Sequence, residues 1–256
     1  MRIVSTLLLL ASLASAGIVS KTVEYKDGDT VLAGEVVRDD TWTGKRPAVL
    51  VVHQWKGITD HERTFAKRLV GLGYVAFVCD IYGKGVRPKN AQEARATAGL
   101  YRGAKEKVEL FRRRLDAALR TMRAHASIDG ARIGAIGFCF GGGGVLELAR
   151  AGADVKGVVS FHGGLTTPLP ATAVKAKVLV CHGADDPLVP DEHVVAFMQE
   201  MRKAKADWRL IAYGGAVHSF TQPSANRKGV AEYHEPSAKR SWQDMKRFLA
   251  DALGTS

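Results

Sequence analysis

The stretch "RIGAIGFCFGGGG", residues 132–144, decides how the rest of the chain is read. An apolar run ends at Gly137, a lone cysteine, Cys139, stands between Phe138 and Phe140, and Gly141 to Gly144 follow. A nucleophile carried on a sharp strand-to-helix turn needs this kind of setting. The residues two before and two after it must be small, because the turn leaves no room for side chains. Gly137 and Gly141 hold those places, giving G-x-C-x-G, and Gly142, Gly143 and Gly144 let the following helix pack close to the sheet. The start of that helix presents free N–H groups and the positive end of its dipole, which favour a thiolate at Cys139. The Phe140 amide is placed to help hold an oxyanion. A buried structural cysteine beside a packing site is the bland alternative. A phosphate-binding loop fits less well: G-x-G-x-x-G is not in register and no Gly-Lys-Ser/Thr follows.

Outward from this turn, strand-like and helix-like segments alternate. "KTVEYKDGDTVLAGEVV" (21–37) has two β-like runs around Asp27-Gly28, a hairpin signal. Apolar runs follow at 48–53, 74–80, 132–138, 157–163, 177–183 and 208–215. They are apolar almost throughout, as strands covered on both faces are. Helical spacing is clearest at Val108, Phe111, Leu115, Leu119 and Met122, and further helices fit at about 61–71, 142–151, 191–204 and 237–253. A hairpin followed by strand–helix units implies a mostly parallel sheet with helices on both faces, with chemistry at the carboxyl ends of the strands. His53, Asp80, Cys139, His162 and His182 fall at or just past such ends.

Bulk composition agrees with a single globular domain. The 256 residues are 46% hydrophobic and 25% charged, with 27 Gly and 8 Pro. The first 16 residues stand apart: Met1-Arg2 is basic, Ile3 to Ala16 is apolar or small, and Ala14-Ser15-Ala16 supplies a small-x-small cleavage pattern. This predicts a signal peptide over 1–16 and one α/β domain over 17–256, exported to the periplasm or the medium. No other segment approaches membrane-spanning length. The formal net charge is +11, but the basic residues are scattered, and Arg112-Arg113-Arg114 reads as a solvated helix face, so no nucleic-acid partner is expected. The three cysteines of the expected mature chain, Cys79, Cys139 and Cys181, leave at least one thiol free.

A nucleophile needs a base, and the base an orienting acid. On a turn of this type they follow in the order nucleophile, acid, histidine. "CHGADDPLVP" (181–190) supplies Asp185 and Asp186 just after a strand, and "YGGAVHSF" (213–220) supplies His218 after the last one.

G-x-C-x-G-G, then G-x-x-D-x-x-V-P, then H-S-F resembles the dienelactone hydrolase family of α/β-hydrolases, as do "VVHQWKGITDH" (51–61) and "GYVAFVCDIYGKG" (73–85). The resemblance runs from about residue 45 to 250. It implies an α/β-hydrolase fold, Cys139 as nucleophile, Asp186 rather than Asp185 as orienting acid, and His218 as base. It also implies that the Trp55 and Phe140 amides form the oxyanion hole. The implied substrates are small esters or lactones, cleaved through a thioester acyl-enzyme without a cofactor or metal. A monomer is the expectation, although the sequence does not fix the oligomeric state.

Two departures from the family pattern concern the substrate. Gln54 stands where family members often carry Glu, and Lys84 and Gln222 stand where the namesake enzymes hold a substrate carboxylate with two arginines. These three and Tyr82 are the candidate substrate-binding residues. An exported binding protein that keeps the fold but has lost turnover is the alternative function; Gln54 favours it and the Cys–Asp–His order opposes it. His53, His162 and His182 lack ligand spacing and read as histidines that satisfy loop backbone groups rather than as a metal site. Cys79 and Cys181 read as inert buried thiols.

Overall fold

The protein is described here as a computed structural model, which covers residues 17–255; the expected signal peptide lies outside them. Strands β1 (Ile18–Asp27) and β2 (Thr30–Asp39) form the expected hairpin, with Gly28-Asp29 as its turn and Gly28 at φ 56°. β3 (Arg46–Val52), β4 (Val75–Cys79), β5 (Ile128–Phe138), β6 (Gly157–Phe161), β7 (Lys177–Gly183) and β8 (Trp208–Tyr213) complete one sheet. Its order is β1-β2-β4-β3-β5-β6-β7-β8, parallel from β4 to β8, with the hairpin antiparallel at one edge. The connecting helices are α1 (Asp60–Val70), α2 (Ala91–Gly99), α3 (Lys105–Ala124), α4 (Phe140–Arg150), α5 (Asp191–Lys203) and α6 (Glu235–Leu253).

The unbroken apolar runs follow from a core on each face of this sheet. Ala48, Leu50 and Val52 of β3 point into a core shared with α3, α4 and α5, while Val49 and Val51 point into one shared with α1 and α6. Each successive side chain along a central strand therefore enters a dry layer. β8 departs from this pattern. As the far edge strand it buries Tyr213 fully and leaves Arg209 and Ala212 exposed, because it has a neighbour on one side only.

Cys79 and Cys181 end up on opposite faces, with β3, β5 and β6 between their strands. Four strand spacings amount to about 19 Å, far beyond the roughly 7 Å that a disulfide spans. All three cysteines are free thiols.

Two features lie outside the expected pattern. Helix α2 buries only Ala94 and Ala98, so its apolar stripe is weak. Its start is fixed instead by Asn90, whose side chain accepts the Glu93 amide while Glu93 takes N–H groups from Asn90 and Lys89. A second, two-stranded sheet, β9 (Asn226–Arg227) with β10 (Ala231–Glu232), carries no apolar run at all.

The glycines after Cys139 have separate tasks. A Cβ on Gly137 would lie 2.1 Å from the Gly141 carbonyl oxygen, and one on Gly141 would lie 2.3 Å from that of Val52. Gly142 faces the backbone beyond β6, with Gly163 Cα at 2.8 Å from its would-be Cβ, and Gly144 faces the Phe111 ring of α3 at 2.4 Å. Only some of the run therefore meets the sheet; Gly143 meets nothing nearer than the Gly164 carbonyl at 3.5 Å, an ordinary contact. Gly143→Ala should accordingly hold or raise the unfolding temperature, since alanine favours a helix interior over glycine by roughly 0.5–1 kcal/mol. Gly144→Ala should lower it, by the roughly 1–3 kcal/mol typical of overpacking. Thermal unfolding of the two variants separates them; equal losses would refute this division of roles.

Candidate active site

Strand β5 ends at Phe138 and α4 begins at Phe140, so Cys139 occupies the whole turn, at φ 52° and ψ −111°. An L-residue held in that region is strained by about 1–3 kcal/mol, and the glycine contacts on either side hold it there. The turn lifts the thiol to the carboxyl end of the sheet, where it is partly exposed while Cys79 and Cys181 are fully buried. The two buried thiols are pushed up by desolvation, Cys181 to about 12.

Two loops bring partners to Cys139. The loop after β8 brings His218 Nε2 to 3.0 Å from Sγ, and the loop after β7 brings Asp186 Oδ2 to 2.7 Å from His218 Nδ1. Asp186 is buried and its other oxygen accepts the Leu188 amide at 2.9 Å. Asp185 turns outward, is exposed, and accepts the Gly215 amide at 2.9 Å. The backbone thus spends the first aspartate on tying the two loops together and leaves the second to the histidine.

The electrostatics favour an ion pair. Burial would raise the Cys139 thiol, but the His218 charge and hydrogen bond outweigh it, with smaller help from the Phe140 amide and Arg102, and its pKa is lowered. Burial would likewise depress His218; the Cys139 thiolate and the Asp186 carboxylate outweigh it and raise the imidazole to about 10. Both shifts run in the direction that favours a thiolate–imidazolium pair over the neutral pair.

The loop between β3 and α1 carries Trp55 and is held at several points. Tyr82 Oη donates to the Trp55 carbonyl at 2.9 Å, and Glu62 accepts from the Gln54 amide at 3.2 Å and from the Thr59 amide at 2.9 Å. Glu62 is fully buried, and desolvation raises its pKa. It belongs to a capping box with Thr59 at the start of α1, so one carboxylate both starts the helix and fixes the loop. The Thr59-x-x-Glu62 pattern is visible in the sequence, but its reach back to Gln54 is not.

Other singled-out residues have defined places. His53 accepts the Ile81 amide on Nε2 at 3.3 Å and therefore donates from Nδ1 to the Gln54 carbonyl at 2.6 Å. His162 takes the Cys139 amide and reaches Thr221; His182 is buried. Among the described residues no group of three His, Cys, Asp or Glu is arranged to hold a metal ion. Asp80 is buried and accepts the Ala33, Tyr82 and Gly83 amides. Tyr82 is itself buried, with its ring 5.5 Å from that of Phe140 and its hydroxyl committed to Trp55. Lys84 pairs with Glu24 of β1 at 2.6 Å. The Gln222 amide donates to Ser224 Oγ at 3.0 Å, at the rim of a cavity of about 450 Å³ that His61, Arg68 and Tyr233 also line. Gln54 is buried.

Known proteins share this fold over nearly the whole length. A solved structure named m3DLH is 39% identical with a TM-score of 0.86, matching 92% of this chain and 99% of its own. A dienelactone hydrolase-like promiscuous phosphotriesterase, P91, from metagenomic libraries, is 39% identical with a TM-score of 0.85 and the same coverage. A Salmonella typhimurium protein whose name assigns it provisionally as a carboxymethylenebutenolidase is 30% identical, over 94% of this chain and 88% of the relative. The model of the dienelactone hydrolase family matches residues 33–253, and the chain accordingly belongs to that family of ester and lactone hydrolases.

Proposed function

We propose that the protein is an exported cysteine hydrolase of small esters or lactones. The observation that carries the chemistry is the continuous path from Cys139 Sγ through His218 to Asp186, at 3.0 and 2.7 Å, on a strained turn. The thiolate attacks the carbonyl carbon, and the developing oxyanion is met by the amides of Phe140 and Trp55. The bond to the alkoxy oxygen breaks as His218 gives that oxygen its proton, leaving a thioester on Cys139. His218, neutral again, takes a proton from water; the hydroxide adds to the thioester, the acid leaves, and the thiolate and imidazolium are restored. Asp186 holds the imidazole in the tautomer that both steps need.

If Asp186 is the orienting acid, Asp186→Asn should lower kcat by a factor on the order of a thousand or more, because an amide presents the wrong partner to Nδ1. Asp185→Asn, which loses only an exposed contact to a loop amide, should stay within a few-fold. Steady-state hydrolysis of p-nitrophenyl acetate by both variants, with iodoacetamide-treated enzyme as the blank, gives the comparison. Equal losses would point to the wrong aspartate, and full activity after alkylation would remove Cys139 from the reaction.

Export rests on the first 16 residues. The Gly17 nitrogen donates to Asp40 Oδ1 at 2.9 Å, so cleavage after Ala16 would place a cationic amine against that carboxylate. Intact-mass analysis of protein from the periplasm or medium should find Gly17 as the first residue. A chain that still begins at Met1 would overturn the export reading.

The substrate should be small and without a strict need for a carboxylate. Lys84 is neutralised by Glu24 and Gln222 bears no charge, so neither offers the fork that grips a carboxylate. Neutral esters should be cleaved at least as well, by kcat/KM, as lactones bearing a free carboxylate. Gln222→Arg should improve the carboxylate substrates selectively. A strong wild-type preference for the carboxylate would mean that another cation, with Arg102 nearest in its effect on the sulfur, holds it.

A further inference from the structure

His162 is a buried histidine that the hydrolytic steps do not use, yet it touches the backbone of the nucleophile. The Cys139 N–H is shared between the Phe161 carbonyl at 3.0 Å and His162 Nδ1 at 3.1 Å. An amide nitrogen can only donate, so Nδ1 must be the unprotonated nitrogen and Nε2 must carry the hydrogen. Nε2 lies 2.8 Å from Thr221 Oγ1, and Thr221, also buried, sits in the loop that follows His218. The residue's own backbone is fixed as well: its N–H donates to the Cys181 carbonyl at 2.9 Å and its φ is 39°. Its ring stands edge-on to His218, with centroids 5.2 Å apart, and edge-on to Phe220, also at 5.2 Å.

From this geometry we infer that His162 is a positioning residue, an imidazole brace that sets the distance between the nucleophile turn and the histidine loop. It reaches across the end of the sheet from one loop to the other, and among the described contacts it makes no hydrogen bond to Sγ or to the ring nitrogens of His218. The brace works in one protonation state alone. A second proton, on Nδ1, would confront the Cys139 N–H with another donor. Burial holds the ring neutral, and the positive charge of His218 acts in the same direction. The strained φ of Cys139 gives the brace something to hold, because an amide that loses one of two acceptors is freer to rotate out of that region.

The inference rests on Cys139 and His218 being the reacting pair, and the test keeps the two apart. Cys139 alkylation by iodoacetamide is followed against pH alongside kcat and KM for p-nitrophenyl acetate, in wild type and in three variants. His162→Phe keeps the ring but removes both hydrogen bonds; it should move the alkylation midpoint up by about one pH unit and cut kcat on the order of tenfold to a hundredfold, with KM nearly unchanged. His162→Asn can return an acceptor to the Cys139 amide and should recover most of both. Thr221→Val breaks only the far end and should shift both in the same direction by less, which serves if His162→Phe does not fold. A role in folding alone would lower the unfolding temperature and leave the midpoint in place, and that outcome overturns the brace. So does an Asn variant no better than Phe, or a Thr221→Val variant indistinguishable from wild type. If alkylated wild type keeps its activity, it is the nucleophile assignment that fails.

Discussion

The structure depends on one close approach: the first turn of α4 lies against the ends of β3 and β5 with no space for a side chain. Gly141 sits where a methyl group would overlap the Val52 carbonyl oxygen, and Gly137 where it would overlap Gly141 itself. That contact forces the residue between them into positive φ and projects its side chain beyond the sheet. The Phe140 amide at the start of α4 then faces the sulfur, so the strain that exposes the thiol also supplies a donor that stabilises its anion. The parallel sheet, dry on both faces, is the rigid body against which this strain is held.

Around the turn, buried polar groups are partnered in ways that fix loops as well as satisfy hydrogen bonds. Glu62 joins the start of α1 to the Trp55 loop, His53 joins that loop to the end of β4, and Asp185 joins the loops after β7 and β8. None of these residues comes within hydrogen-bond distance of Sγ among the described contacts. Each nevertheless restricts where Trp55, Asp186 or His218 can stand. An unmade bond at any of them would leave a desolvated group costing about 1–3 kcal/mol, so the loops have few alternative arrangements.

This explains which parts were legible in the sequence. The central strands were, because burial on both faces writes itself as continuous apolar runs, and so was the meeting of Cys139, Asp186 and His218, whose side chains the structure joins by hydrogen bonds. Helix α2 was not, since alanines at 94 and 98 pack a core without marking a stripe. The β9–β10 pair was not legible either, as it holds no apolar residue but Ala231. Lys84 shows the limit for the site itself: its partner Glu24 is far away in sequence, and only the antiparallel hairpin brings it near. Glu62 and His162 escape for the same reason, as their roles lie in contacts between loops.

The two histidines beside Cys139 show how far partners, rather than burial, decide protonation. His162 and His218 are both buried, and their rings are 5.2 Å apart. Desolvation depresses each imidazole, but His218 is flanked by Cys139 and Asp186, whose negative forms reward a positive ring, and it is raised to about 10. His162 is flanked by an amide donor and a hydroxyl, neither of which does, and it falls well below its usual value. The opposite outcomes reinforce each other, since a charged His218 repels a second charge at His162 and a neutral His162 costs His218 nothing. A mobile proton is thereby confined to the ring that faces the sulfur, and the ring that holds the backbone is left out of the titration.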